Sequence, residues 1–134
     1  MKFTLDTNVL VRLATQDDAA QAAQALQVLQ QATLIAVPTP ALCELVWVLL
    51  RGYRYTHAQV AHAVRTLLQV RQVVCNTPTV LAGLALLEAG GDFADGVIAY
   101  EGELLGGPEF VTFDQQAAKL LKAHNRKLRW LKSA

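Results

Sequence analysis

Long apolar runs, paired cysteines and a one-sided charge are all missing from this sequence, and each absence removes a class of protein. No stretch approaches the roughly 20 consecutive apolar residues that a bilayer-crossing helix needs; the run from Leu45 to Leu50 is far too short. The N-terminus, MKFTLDTNVLVRL, mixes charges into its apolar residues and has no small-residue cleavage site, so no secretory leader is expected. A cytoplasmic protein that does not span a membrane is the resulting expectation. Only two cysteines occur, Cys43 and Cys75, and neither belongs to a CxxC or Cys/His pattern. Both sit among apolar residues and read as buried thiols. The histidines His57, His62 and His124 show no zinc spacing either. There is no Walker A loop and no GxGxxG, so nucleotide binding through a glycine-rich loop is excluded. Internal repeats, linkers and low-complexity segments are also absent.

What remains is a chain of 134 residues, 53% hydrophobic, with a net charge of +1. That length and composition predict a single domain, residues 1–134, with a sizeable core. The charge is unevenly spread: six of the twelve Lys and Arg residues lie between Lys119 and Lys132. This basic tail (Lys119, Lys122, Arg126, Lys127, Arg129, Lys132) has two open roles. It can meet a phosphate backbone, or it can be a solvated helix face and strand end.

Periodicity and capping signals predict strands alternating with helices. Strands are expected at Lys2–Leu5, Leu34–Val37, Arg71–Cys75 and Glu109–Phe113, with a fifth at Leu128–Leu131. Helices are expected between them. Thr39 is expected as an N-cap with Pro40 as first helical residue, Thr56 as the next cap, and Asp92 and Asp114 as later ones. Such alternation favours an α/β fold, a mostly parallel central sheet of four to five strands with helices on both faces.

Ligands of open parallel sheets bind beyond the carboxyl ends of the strands. Asp6 directly follows the first strand, in FTLDTN, and Asp114 directly follows the fourth, in FVTFD. Asp92 and Asp95 begin the helix before that fourth strand. Each aspartate has a plain structural role available: Asp6, Asp92 and Asp114 as N-caps, and Asp95 as a first-turn acid facing the helix dipole. Glu44 is harder to account for. It lies in PALCELVWVLL, at the edge of an apolar arc formed by Leu42, Leu45, Val46 and Leu49. A carboxylate beside so much apolar surface needs a partner. Either an arginine such as Arg51 or Arg12 supplies it, or Glu44 belongs to a cluster of acids. Gathered carboxylates repel, so a cation must neutralise them or some must protonate. Mg²⁺ or Mn²⁺ fits, both being hard ions that prefer oxygen ligands.

Four segments together carry a resemblance: LDTNVLVR, ALCELVWVL, DFADGVIA and VTFD followed by a helix. In this order and at these spacings the chain resembles the PIN domain and, more narrowly, the VapC toxins of bacterial toxin–antitoxin pairs. The resemblance runs from Lys2 to about Leu131. It implies a PIN-like three-layer α/β/α fold and metal-dependent endoribonuclease activity. Asp6, Glu44, Asp95 and Asp114 then match the metal-holding, catalytic acids. Asp92 is an additional nearby acid, and Asn8 and Thr112 are secondary positions that help to order the site. The resemblance also implies an RNA substrate, a homodimer and a small inhibitory antitoxin, for which the helices within Leu34–Tyr53 and Thr56–Leu68 would be contact surfaces.

Three other folds or roles fit the sequence less well. A haloacid-dehalogenase-type phosphotransferase needs a second Asp two residues after the first, and that position holds Asn8. A receiver domain needs a phosphoacceptor Asp after a central strand, and the third strand ends in Cys75-Asn76. A non-catalytic RNA-binding or interaction module on the same fold is disfavoured by the intact acids, because carboxylates repel phosphate unless a cation intervenes.

Overall fold

The computed structural model describes residues 1–132. The chain forms two compact units, Met1–Asn76 and Thr77–Ala134. In both, short parallel strands alternate with helices, which is the α/β class expected from the sequence.

The first unit runs β1 (Lys2–Thr4), α1 (Thr7–Thr15), α2 (Ala19–Gln31), β2 (Leu34–Ala36), α3 (Thr39–Arg51), α4 (His57–Leu68) and β3 (Val73–Val74). Its sheet has the order β1-β2-β3, all parallel, with Phe3 opposite Ile35 and Ile35 opposite Val73. Ile35 is fully buried at its centre. α1 packs against both α2 and α3, and Leu10, Leu42, Leu45, Leu49, Val60 and Val64 fill the core with 2% exposure or less.

Capping explains where most of these helices begin. Asp18 accepts from the Gln21 amide, and Thr56 with Gln59 forms a full capping box. α3 corrects one expectation. Thr39 is already helical, the extended Pro38 occupies the N-cap position with no side-chain hydrogen bond, and Pro40 lies in the first turn. Two prolines fix the entry angle there through their restricted φ, so no capping side chain is needed. The third strand is also shorter than expected, because only Val73 and Val74 pair in register with β2, the Gln72 carbonyl accepting the Ile35 amide at its start.

The second unit runs α5 (Thr77–Glu88), α6 (Phe93–Leu104), β4 (Glu109–Thr112), α7 (Gln115–Ala123) and β5 (Lys127–Trp130). β4 and β5 pair in parallel, Phe110 opposite Leu128. The five expected strands are therefore present, paired as three and two. α5 and α6 pack very closely, since a Cβ at Gly96 would lie 2.4 Å from the Ala82 carbonyl oxygen and 2.9 Å from the Gly83 Cα. Phe93 is fully buried against Gly83. A second cluster joins Leu86, Ala99 and Leu121 to Phe110, Leu120 and Leu128.

Cys43 and Cys75 are half-buried, not buried as expected. Cys43 lies beside Glu44, outside the buried stripe of α3, and Cys75 follows a strand end. Among the described residues no helix is long and apolar enough to cross a membrane.

Candidate functional site

β1 delivers Asp6 to the start of α1. Leu5 is buried and anchors the strand end. The extended Asp6 (φ −75°, ψ 159°) then caps the helix, its Oδ1 accepting the Thr7 amide at 2.7 Å. The next side chain reaches a different helix: the Thr7 hydroxyl donates to Oε2 of Glu44 at 3.0 Å. Asp6 and Glu44 are thereby tied to one residue, Thr7, by its backbone and its hydroxyl. Asp6, Thr7, Asn8, Arg12, Glu44 and Tyr53 line one open cleft of about 420 Å³.

Of the two partners open to Glu44, an arginine or a cluster of acids, no arginine pairs with it among the described residues. Arg12 pairs with Asp17 at 3.2 Å instead, and Glu44 stands exposed while Leu42, Leu45, Val46 and Leu49 on the same helix are buried. The helical period turns Glu44 out of the apolar stripe, so water and a hydroxyl satisfy it without a counter-charge.

In the second unit Asp92 caps α6, its Oδ1 accepting the Ala94 amide at 2.9 Å. Asp114 follows β4 and caps α7, its Oδ1 accepting the Ala117 amide at 3.1 Å. Thr112 Oγ1 accepts the Asp114 amide at 3.0 Å, which fixes the turn between β4 and α7. Asp95 sits in the first turn of α6, half-buried, and among the described residues it receives no hydrogen bond. Burial, followed by the negative charges of Asp92 and Asp114, pushes its carboxyl from 3.8 up to about 6. Asp92, which the sequence ranked second, thus repels Asp95 more strongly than Asp114 does.

The capping roles foreseen for Asp6, Asp92 and Asp114 are all real, and they do not exhaust these side chains. Each cap uses one carboxylate oxygen. The other has no hydrogen-bond partner among the described residues. Glu44 likewise keeps one oxygen without a partner. Within neither unit do three or more His, Cys, Asp or Glu residues converge, among the described residues, into a ready-made metal cluster. The donor set nevertheless suits a hard divalent ion: unpartnered carboxylate oxygens, no cysteine or histidine among the residues lining the Asp6–Glu44 cleft, and like charges whose repulsion a cation relieves.

Some contributors escaped the sequence reading. Thr7 was passed over inside the DTN triplet, although a hydroxyl one residue after an acid was the available signal. Arg12, Asp17 and Tyr53 form a network. Tyr53 donates to Asp17 Oδ2 at 2.6 Å, and Thr15 donates to Asp17 Oδ1 at 2.8 Å. Hydrogen bonds from Tyr53 and then Thr15 hold the Asp17 carboxyl below its usual value of 3.8. Asn8 lines the cleft with no hydrogen bond of its own among the described residues.

Comparison with curated proteins returns no match. The family model described as PIN domain matches residues 3–122, from β1 into α7. PIN domains are typically nucleases and generally use divalent metals. By a match that runs through both units, the chain belongs to the PIN domain family.

Proposed function

We propose that this chain is a metal-dependent endoribonuclease of the VapC type, the toxin of a toxin–antitoxin pair, acting as one domain on RNA in the cytoplasm. Asp6, Glu44, Asp95 and Asp114 are its proposed metal-holding and catalytic acids, with Asp92, Asn8 and Thr112 in support. The observation that carries the reading is Asp95: a half-buried carboxylate with no donor, under pressure from two like charges. Burial and like charge work against the first-turn dipole that favours an acid there, and a cation site puts that repulsion to use.

Mg²⁺, or Mn²⁺ in its place, would be held by these carboxylates; when bound it supplies an acidified water and charge neutralisation at phosphate. The chain's own groups do the rest. The Thr7 amide and hydroxyl set the directions of the Asp6 and Glu44 carboxylates. The Ala94 and Ala117 amides orient Asp92 and Asp114 in the same way, leaving one oxygen of each available. Preset carboxylates lower the cost of ordering ligands when an ion arrives.

The toxin assignment is supported by the LDTNVLVR and DFADGVIA segments and by the four acids in family order. A small antitoxin and a homodimer belong to the same proposal. The test is cleavage of RNA by purified protein with Mg²⁺ or Mn²⁺, with and without chelator. Metal-dependent cleavage that disappears in Asp6→Asn is expected. No cleavage under any condition, cleavage that survives chelation, or a fully active Asp6→Asn would refute it. Growth arrest on expression, relieved by the product of a short neighbouring gene, is the matching result for the toxin role.

A further inference from the structure

Arg12 is the cation of the cleft that holds Asp6 and Glu44. It also lines a second groove, of about 470 Å³, between α1 and α2. The two spaces share Asn8 and Arg12, so these residues form the passage from the acids to the groove. The groove is walled by the amides of Asn8, Gln21 and Gln24, with no carboxylate in its lining.

The guanidinium is held firmly and incompletely. Its Nε donates to Gln21 Oε1 at 2.6 Å. Its Nη1 donates to Asp17 Oδ1 at 3.2 Å and to the Tyr53 hydroxyl at 3.4 Å. Nη2 has no partner among the described residues, although the side chain is only 29% exposed. Nη2 is not among the buried polar atoms, so its two N–H donors face the solvent of the cleft and are open to an incoming anion. An arginine already fixed by Asp17, Tyr53 and Gln21 loses little rotamer freedom on binding an anion, and its planar fork suits a phosphate.

We infer that Arg12 is a phosphate-binding residue for the RNA backbone, leading the strand from the Asp6–Glu44 cleft into the amide-lined groove beside it. The inference rests on the ribonuclease reading and adds the path of the substrate. It also answers an electrostatic difficulty. The Asp6 and Glu44 carboxylates repel a phosphodiester, and Arg12 offers that same cleft a fixed positive group. Gln21 and Gln24 can donate to phosphate or sugar oxygens further along without selecting a base.

The experiment measures binding, with chelator present so that no turnover occurs. A short fluorescein-labelled single-stranded RNA is titrated with the full chain, and anisotropy is followed from about 50 to 200 mM salt. Arg12→Gln is expected to weaken binding about tenfold at the low-salt end. It should also reduce the slope of log affinity against log salt by about 0.7, the value for one phosphate contact on a single strand. Arg12→Lys, which keeps the charge, should restore the slope. A parental slope in Arg12→Gln, or an equal loss in Arg12→Lys, overturns the inference while leaving the ribonuclease reading in place. Parent protein that binds no RNA at any salt overturns the inference as well, while the ribonuclease reading stands or falls on metal-dependent cleavage. A second readout needs no variant: the Arg12 guanidinium NMR signals should move on adding this RNA, and stay put with its uncharged methylphosphonate analogue. Equal movement with both overturns the phosphate assignment.

Discussion

Replacing Asp95 with asparagine should make the metal-free protein more stable, although it removes a proposed catalytic group. A carboxyl moved from 3.8 to about 6 costs at most about 3 kcal/mol when ionised, at about 1.36 kcal/mol per pKa unit. Asp95 is only half-buried, and solvent screening reduces that ceiling to about 1 kcal/mol. For a chain of 134 residues this corresponds to a melting temperature higher by about 3–5 °C. The sign follows from linkage. The folded form holds its proton to a higher pH than the unfolded form. The parent therefore loses stability as pH rises from 3.8 to about 6 and carries the full deficit above it. Asp95→Asn carries no such deficit. Thermal melts in chelator at about pH 7.5 should show the variant ahead, and the gap should close below 3.8. Added Mg²⁺ should then raise the parent's melting temperature more than the variant's. A variant that melts at or below the parent at about pH 7.5 would mean that Asp95 is not strained by its neighbours, and the argument for a cation there would fall with it.

Thr7→Val should leave stability within about 1 kcal/mol, because the hydroxyl's bond to Glu44 is exposed. Cleavage or metal affinity should nevertheless drop about tenfold or more, and recover in Thr7→Ser; unchanged activity in the valine variant would show that Glu44 needs no orienting. Gly96→Ala should destabilise by about 2–3 kcal/mol, since the added methyl meets the Ala82 carbonyl at 2.4 Å and the clash outweighs the helix-propensity gain; an unchanged denaturant midpoint would contradict the packing. Tyr53→Phe should bring the Asp17 titration up toward 3.8, since Tyr53 is the main group holding it down. The stabilisation from that network is present above 3.8 and disappears as pH falls through the lower folded value; an NMR titration identical to the parent's would refute the assignment. Asp6→Asn, Glu44→Gln and Asp114→Asn should each abolish most cleavage with melting preserved, Asp114→Asn least severely, and any variant cleaving at the parental rate leaves the site.

Local signals were easy to read in this sequence and distant ones were not. Thr56 with Gln59, Asp92 and Asp114 announce helix starts because capping acts over three residues. The alternation of strands and helices followed from apolar periodicity in the same way. The link from Thr7 to Glu44 spans 37 positions, and that from Tyr53 to Asp17 spans 36; no periodicity encodes either. Glu44 illustrates the gap. Its apolar surroundings in sequence called for a charged partner or a cluster, and the helical turn placed it in solvent with a threonine hydroxyl instead. The weight of Asp92 was hidden for a related reason, because mutual repulsion depends on separation in space, and Asp92 and Asp114 act on Asp95 from different helix starts.

The two oxygens of each capping aspartate divide their labour, and this changes how mutational scans of the protein should be read. Asparagine retains a side-chain oxygen that can cap a helix, so it removes the charge and keeps the fold. Alanine removes both, at about 1 kcal/mol per lost cap. An alanine scan would therefore file Asp6, Asp92 and Asp114 under folding, while an asparagine scan would, on the proposed reading, file them under chemistry. By the same logic, a lineage of this chain that abandoned catalysis would be expected to drift to asparagine at these positions and persist as an intact, inert scaffold.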